Sequence, residues 1–183
     1  MAKAVVIIDM LNDFAEEGGA LYVPGAERLV EKIGQLKGTA YEQGVYVIYA
    51  NDNHAENDPE FKTWPKHAVT GTYGAQVIAQ LTPTEQDTVY EKQDLSFFTN
   101  PEADKDMKAK GIDELILTGV ATNLCVTEAA LDALKKQYKV NIVVDAVAGI
   151  DINPGDQANA LMKMGAAGAK PLYTAQALEY MVR

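Results

Sequence analysis

The chain has 183 residues, of which 48% are hydrophobic and 23% are charged, and this balance is typical of a globular protein with one sizeable core. Its net charge of −10 argues against nucleic acid as a partner, because an acidic surface repels phosphate backbones, and no basic block suits a membrane surface. The first apolar run is too short for a signal peptide or a membrane span. We therefore expect a single domain over residues 1–183 and a cytoplasmic location.

Short apolar runs alternate with longer amphipathic stretches along the whole chain. The predicted strands are 4–8, 45–50, 88–90, 115–118, 140–144 and 169–172, and the predicted helices are 26–43, 75–81, 102–110, 123–137, 156–164 and 175–182. Strands that are apolar throughout and separated by helices indicate a parallel sheet that is covered on both faces. The sequence therefore predicts an α/β fold: a three-layer α/β/α sandwich with a mainly parallel, doubly wound sheet of about six strands.

Several chemically useful side chains directly follow the predicted strands. Asp9 follows the first strand, Asp52 and His54 the second, Lys92 the third and Cys125 the fourth. In a doubly wound sheet the working residues lie at the carboxyl ends of the strands. We therefore expect these side chains to converge at one edge of the sheet.

Cys125 is the single cysteine of the chain, so it cannot form an intramolecular disulfide. The sequence places it at the start of a predicted helix, where the helix dipole and unpaired N–H groups favour the thiolate and lower the pKa of the thiol. The same N–H groups can stabilise an oxyanion. The alternative interpretation is a buried packing residue, since cysteine is among the most buried residue types.

Asp9 and Lys92 are residues of the types that can activate Cys125 as a nucleophile. A carboxylate can accept the thiol proton, and a lysine can hold the carboxylate and stabilise the thiolate. Taken singly, each has an ordinary interpretation. Asp9 suits a turn after its strand, and Lys92, which follows Glu91, suits a solvated surface.

The two histidines of the chain, His54 and His67, both lie in the segment 51–74. Asp52 and His54 are alternate residues, so their side chains can converge from an extended segment, and Glu60 is a further ligand of suitable type. Two imidazoles with one or two carboxylates suit Zn²⁺, Fe²⁺ or Mn²⁺. We expect one divalent metal ion, zinc in first place and iron or manganese otherwise; the alternative is that each histidine is a surface or structural residue.

Four segments of this chain resemble those of the isochorismatase-like cysteine hydrolases, and most of all the nicotinamidase/pyrazinamidase group. They are VVIIDMLNDF at 5–14, NDNH at 51–54 followed by WPKHAVTGTYGA at 64–75, KQDLSFF at 92–98 and GVATNLCV at 119–126. The resemblance covers essentially the whole chain. The segment with both histidines is its most specific part, because relatives that bind no metal generally lack the pair.

The resemblance implies roles for the residues singled out above. The implied catalytic triad is Asp9, Lys92 and Cys125. The implied metal ligands are Asp52, His54 and His67, with Glu60 as a candidate fourth ligand.

The resemblance also implies an oxyanion site and a ring-binding site. A cis peptide bond between Val120 and Ala121 would direct the backbone N–H groups of Ala121 and Cys125 toward the oxyanion. Phe14 and Trp64 would flank an aromatic ring of the substrate, although packing in the core explains both almost as well.

The activity implied by the resemblance is hydrolysis of nicotinamide to nicotinate and ammonia through a cysteine thioester, by a homo-oligomeric enzyme of NAD salvage. Another amidase of the same family, with a different carbamoyl or amide substrate, stays open. Two further alternatives also stay open: a hydrolase in which a metal-bound water is the nucleophile, and a binding module without catalytic activity. Three departures from the family pattern leave the substrate open: Leu11 stands where many members have Gln, Ala68 where many have a second Cys, and Asn123 where Asp is frequent.

Overall fold

The computed structural model describes residues 2–182, which form six strands and six α-helices. The strands are β1 (Ala2–Ile8), β2 (Tyr46–Asp52), β3 (Thr88–Lys92), β4 (Ile112–Val120), β5 (Lys139–Ala148) and β6 (Lys170–Leu172). The helices are α1 (Asn12–Ala15), α2 (Val30–Gln43), α3 (Pro101–Ala109), α4 (Thr127–Lys135), α5 (Asp156–Ala167) and α6 (Thr174–Val182). Within residues 2–182, none of these helices is long and apolar enough to cross a membrane.

The strands form one sheet in the order β3-β2-β1-β4-β5-β6, and every neighbouring pair is parallel. The order of the strands along the chain reverses between β1 and β4, which are neighbours in the middle of the sheet. Such a switch point opens a crevice at the carboxyl ends of the strands, because the connections leave it in opposite directions. The predicted doubly wound, parallel sheet is confirmed.

The central strand β1 shows why the sheet is covered on both faces. Its side chains alternate between two core clusters, and all of those named here are fully buried. Val5 and Ile7 belong to the cluster that α2 and α6 cover, whereas Val6 and Ile8 belong to the cluster that α3, α4 and α5 cover. A strand buried on both faces has no polar side, which explains the unbroken apolar run in its sequence.

The predicted helix over 75–81 is wrong, since only a short 3₁₀ turn forms at its end. Val77 instead forms an isolated antiparallel bridge with Leu11. The backbone N–H of Ile78 donates to the carbonyl oxygen of Met10 over 3.0 Å. These backbone groups bond to the chain that follows β1, so they are not available for helical hydrogen bonds.

Two of the other predicted helices begin with a different kind of turn. A 3₁₀ turn at Ala26–Leu29 precedes α2, and a π-helical turn at Thr122–Val126 precedes α4. The second of these matters for the chemistry, because it contains Cys125. The thiol therefore lies in an irregular turn between β4 and α4, rather than in the first turn of the α-helix.

Gly119 allows β1 and β4 to approach each other next to the switch point. It pairs with Ile8 in the register of the two strands. Its φ is +101°, and an added Cβ would lie 2.0 Å from the carbonyl oxygen of Ile8. Glycine is required here by both conformation and space. Because Asp9 directly follows Ile8, the same contact determines how close Asp9 lies to the end of β4.

Replacing Gly119 by Ala should lower the free energy of unfolding by about 1–3 kcal/mol, because the new methyl group meets backbone atoms that cannot move aside. Urea unfolding followed by circular dichroism measures the change. Gly38 is the matched control: it is exposed within α2 and an added Cβ would contact nothing within 4 Å. Gly38→Ala should stabilise by about 0.5–1 kcal/mol. A Gly119→Ala protein as stable as the wild type would contradict this account.

Candidate active site

A narrow cavity of about 60 Å³ lies at the carboxyl ends of the central strands. Eight of the residues singled out from the sequence line it: Asp9, Phe14, Asp52, Glu60, Trp64, His67, Ala121 and Cys125. The other lining residues are apolar. Sequence reasoning singled out Val120 only for its peptide bond, and it missed five residues in loops and turns: Leu21, Val23, Leu95, Leu124 and Ile150. Apolar residues in loops carry no distinctive pattern, so the only available signal was their position after strands.

Lys92 lies between Asp9 and Cys125. Its Nζ is 2.9 Å from Oδ2 of Asp9 and 3.5 Å from Sγ of Cys125. All three side chains are buried, and Lys92 is only 3% exposed. The structure therefore brings together a carboxylate, a cation and a thiol that lie at or just after the carboxyl ends of three different strands.

Burial governs the protonation of this group. It raises the pKa of Asp9 to about 6, with a further increase from the nearby charge of Asp52 and an opposing effect of Lys92. Burial also raises the pKa of the Cys125 thiol well above its ordinary value, and the lowering effect of Lys92 is smaller. The expected lowering of the thiol pKa is therefore wrong for the protein without substrate, because desolvation of a buried thiolate outweighs the adjacent cation. A thiol that is protonated at rest needs a base beside it.

Asp52 connects this group to the two histidines. Its Oδ1 contacts Nζ of Lys92, and its backbone N–H donates to Oδ1 of Asp9 over 2.8 Å. Its Oδ2 faces the other way, 3.7 Å from Nε2 of His54 and 3.8 Å from Nε2 of His67. One carboxylate thus belongs to both halves of the site.

The two imidazoles are oriented as metal ligands are. Nδ1 of His67 donates to the carbonyl oxygen of Pro65 over 2.8 Å, and Nδ1 of His54 lies 3.1 Å from Oδ2 of Asp58. Nε2 of His54 is buried and has no hydrogen-bond partner among the described residues. A ligating histidine typically donates its other ring N–H to a carboxylate or a backbone carbonyl.

The charge around the histidines also suits a cation. The nearby carboxylate of Asp52 raises the pKa of His54 to about 9, against the opposing effect of burial and with a further contribution from Asp58. A cluster that holds a proton this strongly can hold a divalent ion in its place. Glu60 lies on the outer side of the cluster. One of its carboxylate oxygens is 3.9 Å from Nε2 of His54, and the other is 3.8 Å from Nε2 of His67. The donor set of Asp52, His54, Glu60 and His67 suits Zn²⁺, Fe²⁺ or Mn²⁺.

Asp58 is a candidate functional residue that sequence reasoning missed. Besides its contact with His54, it accepts a hydrogen bond from the backbone N–H of Glu60 over 2.9 Å and so caps the 3₁₀ turn Pro59–Lys62. It therefore orients one candidate ligand directly and another through the backbone. The available signal was an Asp before a Pro in an acidic segment, a pattern that otherwise indicates only a turn.

Asp13 holds the loop that carries His67. Its Oδ2 accepts a hydrogen bond from the backbone N–H of Ala68 over 2.8 Å, and Ala68 has a φ of +44°. Gly74 makes room for this carboxylate, because an added Cβ would lie 2.1 Å from Oδ2 of Asp13. The segment after β1 thus supports the position of a ligand from the loop after β2.

The turn between β4 and α4 brings Cys125 to the cavity. The peptide bond between Val120 and Ala121 is cis, as the resemblance implies. The carbonyl oxygen of Ala121 accepts hydrogen bonds from the N–H groups of Leu124 (3.0 Å) and Val126 (3.2 Å), which closes the turn. Ala121 and Cys125, whose N–H groups are the expected oxyanion donors, both line the cavity.

The two expected ring-binding residues also lie at the cavity. Phe14 is buried and meets His67 edge to face, with ring centroids 5.4 Å apart. Trp64 is half-buried in the loop after β2. An aromatic side chain next to a candidate metal ligand can contact a flat substrate that reaches both.

Comparisons with known proteins show the family and the fold of this chain. Residues 3–176 match the isochorismatase domain. A nicotinamidase of Escherichia coli (strain K12) is 34% identical, with an alignment that covers 94% of each sequence. A crystal structure of the pyrazinamidase of Pyrococcus horikoshii in complex with zinc has a TM-score of 0.88 at 31% identity and covers 94% of this chain and 99% of that one. The N-carbamoylsarcosine amidase of Thermoplasma acidophilum has a TM-score of 0.84 at 33% identity, with 95% and 97% covered.

Replacing Asp58 by Ala should weaken Zn²⁺ binding by about 10–100-fold, because it releases both Nδ1 of His54 and the turn that carries Glu60. Isothermal titration of metal-stripped protein with zinc chloride measures the affinity. Glu56→Ala is the matched control, since it removes the same charge from the same loop, where Glu56 is exposed and pairs with Lys66. Unchanged affinity in the Asp58→Ala protein would show that His54 does not depend on Asp58.

Proposed function

The chain is an amidohydrolase of the isochorismatase family, and we propose that its substrate is nicotinamide, which it hydrolyses to nicotinate and ammonia. The observation that carries this proposal is that Asp52 joins a thiol–lysine–carboxylate group to a two-histidine cluster at a single cavity. Nicotinamide offers one group to each half: an amide carbon for the thiol and a ring nitrogen for a metal. The nicotinamidase and the zinc-bound pyrazinamidase among the relatives support the assignment.

The proposed resident metal is zinc, which would be held by four clustered side chains: Asp52, His54, Glu60 and His67. The buried, unpartnered Nε2 of His54 and the negative charge of the cluster support this. When bound, such an ion supplies an open coordination position that orients the ring nitrogen of the substrate. Iron and manganese accept the same ligands.

In the proposed first step, Cys125 attacks the amide carbon. Asp9 accepts the thiol proton as Sγ forms its bond to carbon, and the carbonyl oxygen becomes an oxyanion. The backbone N–H groups of Ala121 and Cys125 donate to that oxygen. Lys92 stays protonated throughout, because Asp9, Cys125 and Asp52 together raise its pKa even though burial alone would lower it. Its charge stabilises both the carboxylate and the developing thiolate.

The tetrahedral intermediate then collapses. Asp9 returns the proton to the amide nitrogen, the C–N bond breaks and ammonia leaves, so that a thioester of Cys125 remains. Asp9 next takes a proton from a water molecule that attacks the thioester carbon. Nicotinic acid leaves as the C–S bond breaks and ionises to nicotinate in water, and the thiol recovers its proton from Asp9.

The shape of the cavity supports a flat, aromatic substrate. Its volume is small and its walls are largely apolar, while Phe14 and Trp64 can contact the faces or edges of a ring. The alternative is an aliphatic carbamoyl compound, which the related N-carbamoylsarcosine amidase makes a real competitor. The two-histidine cluster favours nicotinamide, because an aliphatic carbamoyl compound has no ring nitrogen to place there.

Zinc-loaded protein should release equimolar ammonia and nicotinate from nicotinamide, measured by coupled glutamate dehydrogenase and by chromatography. Chelation should abolish the release, and added zinc should restore it. Cys125→Ala should lower kcat/KM by about 10⁴-fold or more, because no other group can form the thioester. The same variant should still bind zinc as tightly as the wild type, which controls for loss of the fold.

Two outcomes would contradict parts of this proposal separately. Ammonia release from N-carbamoylsarcosine but not from nicotinamide would replace the substrate and keep the chemistry. Full activity of Cys125→Ala that is lost on chelation would remove the thiol from the mechanism and leave attack by water.

A further inference from the structure

The side chain of Asn123 forms two hydrogen bonds with the backbone of a single residue, Ile150. Its Nδ2 donates to the carbonyl oxygen of Ile150 over 3.0 Å, and its Oδ1 accepts from the N–H of Ile150 over 3.2 Å. The side-chain amide of Asn123 thus satisfies both backbone polar groups of Ile150, as the backbone of a neighbouring strand would. The two bonds connect the π-helical turn Thr122–Val126, which carries Cys125, to the loop that follows β5.

The loop is shaped to accept this contact. Gly149 is buried, and an added Cβ would lie 2.4 Å from Oδ1 of Asn123 and 3.1 Å from Cβ of Thr122. Any larger residue would push the amide away from Ile150. The contact therefore depends on the amide of Asn123 in the turn and on the absence of a side chain at Gly149 in the loop.

Ile150 is a wall of the cavity that contains Cys125, and it packs against the core cluster that includes Phe14 and Ala121. Beyond Ile150 the loop turns outward, and the side chain of Ile152 is 74% exposed. Two further hydrogen bonds connect this loop to α5: the N–H of Gln157 donates to Oδ1 of Asp151 over 2.8 Å, and the N–H of Asn153 donates to Oδ2 of Asp156 over 2.8 Å. The Asn123 amide is thus the hydrogen-bonded connection between the wall and the nucleophile turn.

We propose that Asn123 is a positioning residue that holds Ile150 as a fixed wall of the substrate cavity and thereby limits the width of the substrates that reach Cys125. The proposal rests on the proposed function only in taking this cavity as the substrate site. It requires an amide, because the contact needs one donor and one acceptor. An aspartate would place an acceptor against the carbonyl oxygen of Ile150.

The central test compares Asn123→Asp, Ile150→Ala and the double variant with the wild type. Asn123→Asp should raise KM for nicotinamide about tenfold and change kcat by less than about threefold, since it moves a wall and not the reacting groups. It should also lower the preference for nicotinamide over the wider 5-methylnicotinamide. In the Ile150→Ala background the same substitution should have little further effect on KM, because the wall is already gone.

Asn159→Asp is the matched control, since it makes the same chemical change at an exposed position of α5 and should leave both constants unchanged. If Asn123→Asp fails to fold, Gly149→Ala provides a second variant that displaces the amide and should give the same KM signature. A loss confined to kcat, or independent effects of Asn123→Asp and Ile150→Ala on KM, would overturn the proposal.

Alkylation of the single cysteine tests the wall without reference to the substrate. Each rate is divided by the rate of the same reagent with free cysteine, because maleimides are intrinsically more reactive than iodoacetamide. On this scale wild-type protein should favour iodoacetamide over the bulkier N-phenylmaleimide, and Asn123→Asp should reduce that ratio about tenfold. An unchanged ratio would overturn the role of Asn123. If the wild type does not hydrolyse nicotinamide, the proposed substrate fails, whereas the alkylation ratio still decides whether Asn123 holds the wall.

Discussion

The buried ammonium group of Lys92 is the interaction on which the rest of the site depends. It contacts carboxylate oxygens of Asp9 and Asp52 and lies 3.5 Å from the sulfur of Cys125. Buried charges are costly unless they are paired, so the loss of this cation would leave two carboxylates uncompensated. Because Asp52 also faces both histidines, the charge balance at the thiol and the charge balance at the candidate metal ligands are shared. The proposed chemistry is therefore a property of one connected group rather than of two adjacent sites.

The fold makes this concentration of charge possible. Strands β1 and β4 lie side by side at the switch point, and their close approach at Gly119 brings the residue after β1 next to the turn after β4. Strands β2 and β3 deliver Asp52 and Lys92 to the same edge. The apolar sheet beneath excludes water, and this desolvation is what raises the pKa values of Asp9 and Cys125. Cys125 is therefore protonated before it reacts, and the carboxylate of Asp9 lies in the same group as its base.

The loops around the cavity are held by single polar side chains that bond to backbone groups. Asp13 holds the loop of His67, Asp58 caps the turn of Glu60, and Asn123 holds Ile150. A loop without strand or helix neighbours must satisfy its backbone polar groups in this way. Each of these residues is also an ordinary turn former. Their partners lie in other loops, so sequence spacing alone does not separate the two roles.

The sequence by itself determined the alternation of strands and helices and the placement of Asp9, Asp52, Lys92 and Cys125 at or just after the carboxyl ends of strands. Burial on both faces requires unbroken apolar runs, and parallel strands bring their carboxyl ends to one edge. Only the tertiary structure decided that residues 75–81 do not form a helix, because Val77 and Ile78 bond to the distant chain after β1. It also decided the state of the thiol. Local helix position predicts a lowered pKa, whereas desolvation by everything packed around Cys125 raises it, and that environment is assembled from segments far apart in the sequence.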